Sequence, residues 1–221
     1  MEYSDWKGLY KEILRDFAFS EERDREAARL LDSLLEVSDT GILGEIIRGK
    51  SVVVFGAGPS LEEVEDFPQG PKIAADGATS YLLERGVIPD IVVTDLDGRM
   101  EDLIRAAHGG AVMVVHAHGD NLDKLVEFVP DLMEVATVIG TCQCRPVGKI
   151  WNFGGFTDGD RAVFLADHLG ARKIALYGMD FKGEIGRYSY SADTEVKRKK
   201  LAWAEGLVKL VMDQRKKRGL D

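Results

Sequence analysis

Through the first 48 positions apolar residues recur at the i, i+3, i+4 spacing of amphipathic helices. Trp6, Leu9, Tyr10, Ile13, Leu14 and Phe17 make one stripe, and Ala27, Leu30, Leu31, Leu34 and Leu35 make a second. Ser20 is placed to cap the second helix, with Arg23 at the capping-box position where Glu would serve better. This segment reads as a helical cover on a sheet or as a homodimer contact, and nothing in it suggests chemistry. From Ser51 the pattern changes to short continuous apolar runs, at 51–55, 72–75, 91–94, 111–115, 134–140 and 174–177. Runs this short and apolar fit strands covered on both faces. Helical stretches follow near Ser60, from 78 to Gly86, at 100–108, through Ala162 to Leu169 before Gly170, and from Thr194 to the end. The expected fold is α/β and Rossmann-like: a mostly parallel sheet with helices on both faces, preceded by an N-terminal helical segment. Residues 1–48 form that segment, and 49–221 form the α/β catalytic domain with its C-terminal helix.

The strand at 91–94 is introduced by Pro89-Asp90 and ends in Asp95-Leu96-Asp97-Gly98. Open α/β sheets bind ligands at the carboxyl ends of their strands. In an extended chain Asp95 and Asp97 would point to one side with Leu96 turned away. Two such carboxylates repel each other and favour a hard cation, Mg²⁺ above all, held together with substrate phosphates. The plainer alternative is a pair of solvated acids capping the next helix.

Other strand ends carry chemistry as well. Gly56-Ala57-Gly58-Pro59-Ser60-Leu61 makes a strand–turn–helix in which Gly56, Gly58 and Ser60 could approach a phosphate. Asp76 lies 20 residues beyond Gly56, where a dinucleotide fold keeps its ribose-binding acid, but Leu61 replaces the third fingerprint glycine and Pro59 removes an N–H. Asp76 also suits a plain helix cap. His116, His118 and Asp120 follow the fourth run; the histidines suit phosphate oxygens, and Asp120 is the better magnesium ligand. In Gly154-Gly155-Phe156-Thr157-Asp158-Gly159-Asp160-Arg161, two glycines, two acids, an aromatic and an arginine open a helix and can grip a polar planar ligand. Asp180 follows the last strand. The 182–193 loop reads as a lid, and Lys197 and Lys200 lie within reach of phosphates or in solvent.

Composition narrows the function classes. The 221 residues are 45% hydrophobic and 30% charged, and no apolar run approaches a membrane span. A net charge of −9 argues against an extended nucleic-acid surface. The basic run Arg215-Lys216-Lys217-Arg218 reads as a solvated helix end suited to the helix dipole. The N-terminus lacks the apolar core of a signal peptide, so a cytoplasmic location is expected. Cys142 and Cys144 build neither a disulfide framework nor a complete zinc site, and read as buried strand thiols.

Taken together, Gly56–Leu61, Ala75-Asp-Gly-Ala78, Pro89-Asp90 with Thr94–Asp97, His116–Asn121, Gly154–Arg161 and Gly178-Met-Asp-Phe181 resemble the archaeal 6-hydroxymethyl-7,8-dihydropterin diphosphokinases over most of residues 50–200. That family is in turn similar to thiamin pyrophosphokinases, which share the Pro-Asp and Asp-x-Asp elements. The resemblance implies Mg²⁺ and ATP, transfer of the β,γ-diphosphate to a hydroxymethyl pterin, and release of AMP in a methanopterin or folate pathway. It implies Asp95 and Asp97 as magnesium ligands, with Asp76 and Asp120 completing the cluster. Gly56, Gly58 and Ser60 would face phosphate or nucleotide, and Gly155, Thr157, Asp158, Asp160, Arg161 and Asp180 would hold a planar ligand. His116, His118 and Lys197 would steady developing charge, and Asp120 could take the hydroxyl proton. Small molecules are the expected partners, with no nucleic acid or membrane. The competing readings are a dinucleotide-dependent oxidoreductase, which leaves Asp95, Asp97 and Asp120 without a task, and a non-catalytic nucleotide or sugar-phosphate binding module.

Overall fold

The computed structural model describes residues 1–182, 184–190 and 194–220. Six strands, β1 (Ser51–Phe55), β2 (Lys72–Ala75), β3 (Ile91–Thr94), β4 (Val112–Ala117), β5 (Val138–Cys142) and β6 (Lys173–Tyr177), form one sheet in the order β5-β4-β3-β2-β1-β6. Every pairing is parallel. The chain steps from β1 across to β5 and then returns to the far side of β1, so the topology switches between β1 and β6. At such a point the loops diverge and leave a crevice above the strands' carboxyl ends.

Alternate side chains of β1 serve two cores. Val52 and Val54 join Ile73 and, from α7 (Asp158–His168), Ala162, Val163 and Phe164. Val53 and Phe55 face the other way, onto Leu61, Tyr81 and Leu82. Tyr81 and Leu82 belong to α4 (Ala78–Glu84), which with α5 (Met100–His108) and α6 (Leu122–Val135) links the successive parallel strands.

The N-terminal helices α1 (Tyr3–Phe17), α2 (Glu21–Leu34) and α3 (Gly41–Ile47) share the larger core, burying Trp6, Tyr10, Ile13, Leu31 and Leu43. Ser20 caps α2, its hydroxyl accepting from the Arg23 N–H at 3.3 Å. The C-terminal helix α8 (Thr194–Lys217) packs on α7. Among the described residues no helix is long and apolar enough to cross a membrane. Cys142 and Cys144 are buried and free.

Three expectations differ from the structure. The fifth strand begins at Val138, because α6 runs on through Glu134 and Val135, with Leu125, Val129 and Leu132 on its buried face. The expected helix near Ser60 is a five-residue 3-10 turn, Pro59–Glu63. The basic end of α8 is not wholly solvated: Arg215 is fully buried, its guanidinium bonded to Asp167 (2.8 Å) and to the Ala171 and Arg172 carbonyls. Of the expected 182–193 lid, Gly183 and Ser191–Asp193 lie outside the described residues.

Candidate active site

One cavity opens over the carboxyl ends of the strands. Its wall includes Asp76 after β2, Asp95 and Asp97 after β3, His118 and Asp120 after β4, and the start of α7. Asp76, Asp95 and Asp158 each offer a carboxylate oxygen, and the three oxygens lie within 4.8 Å of one another.

Backbone strain helps to converge them. Asp76 and Leu96 both adopt left-handed φ, 39° and 66°. Outside glycine this conformation is uncommon, and it persists where the surroundings impose it. Asp76 is held by its own N–H on the Val93 carbonyl (2.8 Å) and by the Thr94 hydroxyl on its carboxylate. Thr94 in turn accepts from the Leu96 N–H at 2.8 Å. Leu96 is thereby turned into the core, and the strand alternation expected to align Asp95 with Asp97 stops at Thr94. Asp97 borders the cavity but is half exposed, and its carboxylate is paired with Lys124.

The electrostatics follow from burial and proximity. Burial and the charge of Asp95 push the Asp76 carboxyl up to about 7, and the same two causes push Asp158 well above the usual range. Burial acts to raise Asp95 too, but the His118 Nε2–H beside it and the charge of Arg161 outweigh it, holding Asp95 below its ordinary value. The cluster therefore has one firm anion, Asp95, and two partners that hold their protons to higher pH than an ordinary carboxyl, although Asp158 is paired with Arg161 at 3.0 Å.

Hydrogen bonds settle the histidine tautomers. The Asp120 N–H donates to His118 Nδ1 (3.3 Å), which places the ring proton on Nε2, 3.4 Å from Asp95 Oδ2. The Thr141 hydroxyl donates to the Val115 carbonyl (3.1 Å) and so accepts from His116 Nδ1–H at 3.0 Å. Burial and the charge of Arg161 keep His116 neutral, with a bare Nε2. Asp95 Oδ1, His116 Nε2 and Arg161 Nε are buried without a hydrogen-bond partner among the described residues.

The remaining predicted residues divide. Gly58, Thr157, Arg161, Asp180 and Lys197 line the cavity with Gly56. A Cβ on Gly56 would lie 2.6 Å from the Gly178 carbonyl, and one on Gly58 2.4 Å from Asp180, so packing on the β6 loop already requires both glycines. Ser60 donates its N–H (2.9 Å) and hydroxyl (2.7 Å) to Asp180. Asp160 is fully buried and accepts from the Phe156 and Thr157 N–H groups at 2.7 Å each and from the Thr157 hydroxyl, locking the loop that opens α7. Gly155, at φ 95°, gives Arg161 room: a Cβ there would lie 2.6 Å from the Arg161 Cα.

The N-terminal segment, expected to carry no chemistry, supplies one wall through Phe19, Ser20, Arg23 and Asp24. Asp24 lies on the buried stripe of α2 with Ala27 and Leu31. A carboxylate on an apolar helix face was the available signal. Gln143 after β5 completes that wall and carried no signal in the sequence.

Three curated relatives are each named 6-hydroxymethyl-7,8-dihydropterin pyrophosphokinase. The Pyrococcus furiosus protein is 50% identical over 94% of this chain and 93% of its own. The Methanothermobacter thermautotrophicus protein is 48% identical over 94% of each. The Methanocaldococcus jannaschii protein is 40% identical over 97% of each. Among solved structures, the MAf glycosyltransferase of Magnetospirillum magneticum AMB-1 superposes with TM-score 0.57 at 16% identity, covering 89% of this chain and 35% of that one, a likeness of fold alone. Residues 26–185 match the model of the family described as 6-hydroxymethylpterin diphosphokinase MptE-like, and the chain belongs to that family.

Proposed function

We propose that this chain transfers the β,γ-diphosphate of ATP to the hydroxymethyl group of 6-hydroxymethyl-7,8-dihydropterin and releases AMP, serving archaeal methanopterin or folate synthesis. The observation that carries this reading is the convergence of the Asp76, Asp95 and Asp158 oxygens within 4.8 Å over the carboxyl ends of β2 and β3, beside the sheet's topological switch, in a chain of this family. The donor set is of hard oxygens, and Asp95 Oδ1 is buried without a hydrogen-bond partner among the described residues, so the three acids fit a hard divalent cation such as Mg²⁺. Bound by these residues, the ion would neutralise charge on the phosphates.

The chain's own residues would supply placement and electrostatics. The acceptor oxygen bonds to the β-phosphorus as the bridge to the α-phosphate breaks, and the electron pair leaves on AMP. Arg161, whose guanidinium pairs with Asp158 at 3.0 Å and whose Nε has no partner among the described residues, and Lys197 on the cavity wall would oppose the phosphate charge. The start of α7, with Thr157, Asp158 and Gly159 on the wall, would turn the positive end of its dipole to the same anions. His118 Nε2–H would keep Asp95 ionised, and Asp120 would accept the hydroxyl proton at the rim of the cavity.

The decisive experiment is a Mg²⁺-dependent AMP-release assay over a panel of pterin, thiamin and sugar acceptors. AMP formed in step with pterin diphosphate, and lost on chelation of the metal, is the expected result. Turnover of thiamin or a sugar in place of the pterin would overturn the reading.

A further inference from the structure

We propose that the pterin ring of the acceptor is read at the α2 end of the cavity, by the Gln143 side-chain oxygen, against the rings of Phe19 and Phe156. This rests on the function proposed above and names the part of the site that would choose the substrate.

The loops lining the cavity are ordered by the sheet. Gly56–Gly58 after β1 and Gly178–Asp180 after β6 lie at one end, Asp76 and Asp95 in the middle, and His118–Gly119 after β4 and Gln143 after β5 at the other. The nucleoside belongs at the β1–β6 switch and the phosphates over the acids, which leaves the β4–β5 end for the acceptor. With strands about 4.8 Å apart, the Gln143 loop stands about 10 Å along the sheet from the β3 end, the reach of a bicyclic ring bearing a one-carbon arm.

Gln143 is 3% exposed and cannot turn. Its backbone carbonyl accepts from Trp6 Nε1 at 2.8 Å and from Asn152 Nδ2 at 3.0 Å. Its amide nitrogen donates to Asp24 Oδ2 at 2.9 Å, and because a carboxylate only accepts, the amide orientation is fixed. That leaves Oε1 of this wall residue buried with no partner among the described residues. Asp24 itself already accepts from the Tyr10 hydroxyl (2.7 Å), the Gly119 N–H (2.9 Å) and Gln143. The unmet need at this end is therefore for an N–H donor, which the amino-pyrimidinone edge of a pterin presents.

The same end offers faces for a flat ring. Phe19 and Phe156 lie 6.4 Å apart and inclined by 52°, and Lys200 Nζ stands 6.0 and 5.9 Å from their centroids. An aromatic heterocycle set against these rings with its donor edge on Gln143 would direct its hydroxymethyl arm toward the acids.

The test measures binding of the fluorescent oxidised ligand 6-hydroxymethylpterin to the full-length protein, with steady-state kinetics on the dihydropterin. Gln143→Leu is expected to weaken pterin binding and raise the pterin KM by about 10- to 100-fold, the usual effect of removing one buried hydrogen bond. The KM for ATP should move less than about twofold, because the two ligands occupy opposite ends. Since Gln143→Leu also removes a bond to Asp24, Phe19→Leu is the second variant, expected to weaken pterin and not ATP. Folded variants of an active protein that bind pterin as the wild type does would overturn the subsite alone. A wild type inactive on every pterin but active on another acceptor would overturn the function and the subsite together.

Discussion

His118 Nε2 lies 3.4 Å from Asp95 Oδ2, and this contact separates Asp95 from Asp97 although the two acids are two residues apart. Asp95 is the anion of the three-acid cluster, while Asp97 is half exposed and paired with Lys124. Asp95→Asn should therefore lower kcat for AMP release by at least about 10²-fold, the scale of losing one preorganised charge at a reacting centre. Asp97→Asn should stay within about tenfold, since exposed pairs contribute little. Equal losses in the two variants would contradict the assignment.

The acids also set a pH dependence. The Asp76 carboxyl, ordinarily near 3.8, is pushed up to about 7 in the fold. Ionising it costs the metal-free protein stability that is intact below about pH 4 and lost as pH rises toward 7. A divalent cation must displace the proton held by Asp76, so its affinity should rise as pH approaches 7. Calorimetric titration of Mg²⁺ at pH 6 in two buffers of different ionisation enthalpy should reveal proton release. A buffer-independent heat would refute it.

Arg215 predicts a stability effect remote from the site. It is fully buried against Asp167 and two carbonyls, so Arg215→Ala strands the two carbonyls and leaves Asp167 only the more exposed Arg218. Denaturant unfolding should show a loss of about 3–5 kcal/mol. Lys216→Ala, at an exposed position beside it, should change stability by less than about 0.5 kcal/mol.

Gly77 tests the 184–190 segment, which lines the cavity beside Ala57 and Gly58, the end proposed for the nucleotide. A Cβ at Gly77 would lie 1.8 Å from the Tyr188 carbonyl, a backbone atom that only a shift of the chain can move. Gly77→Ala should displace 184–190, raising the KM for ATP and exposing that segment to limited proteolysis. Unchanged cleavage and KM would show that the close approach carries no weight.

Asp160 separates structure from chemistry in the acidic loop. Its carboxylate takes the Phe156 and Thr157 amides, so Asp160→Ala should destabilise by about 1–3 kcal/mol in a melting or denaturant experiment. Asp158→Ala removes a cluster oxygen and also the 3.0 Å ion-pair partner of the buried Arg161, so it should cost AMP release as well as stability.

Much of the fold was legible because its signals are local. The apolar runs at Ser51–Phe55, Lys72–Ala75 and Ile91–Thr94 match β1, β2 and β3, and Ser20 caps α2 as its side chain allows. Helix α6 was not legible, since its apolar face runs without a break into the apolar start of β5. In the site, acids at successive strand ends marked the right rim of the sheet. Their division into cluster members, a surface pair and a loop lock depends on partners such as Lys124, Thr94 and Phe156 that lie elsewhere in the chain.

The sequence by itself determined an α/β sheet with carboxylates at its strand ends, because hydrophobic period, turn residues and the place where an apolar run stops are properties of neighbouring residues. Only the tertiary structure decided that Asp158 joins Asp76 and Asp95, that Asp97 does not, and that Asp24 and Gln143 wall the same cavity. Those relations arise where α2, α7 and the ends of β2, β3 and β5 pack together, and burial then sets which carboxylate keeps its charge.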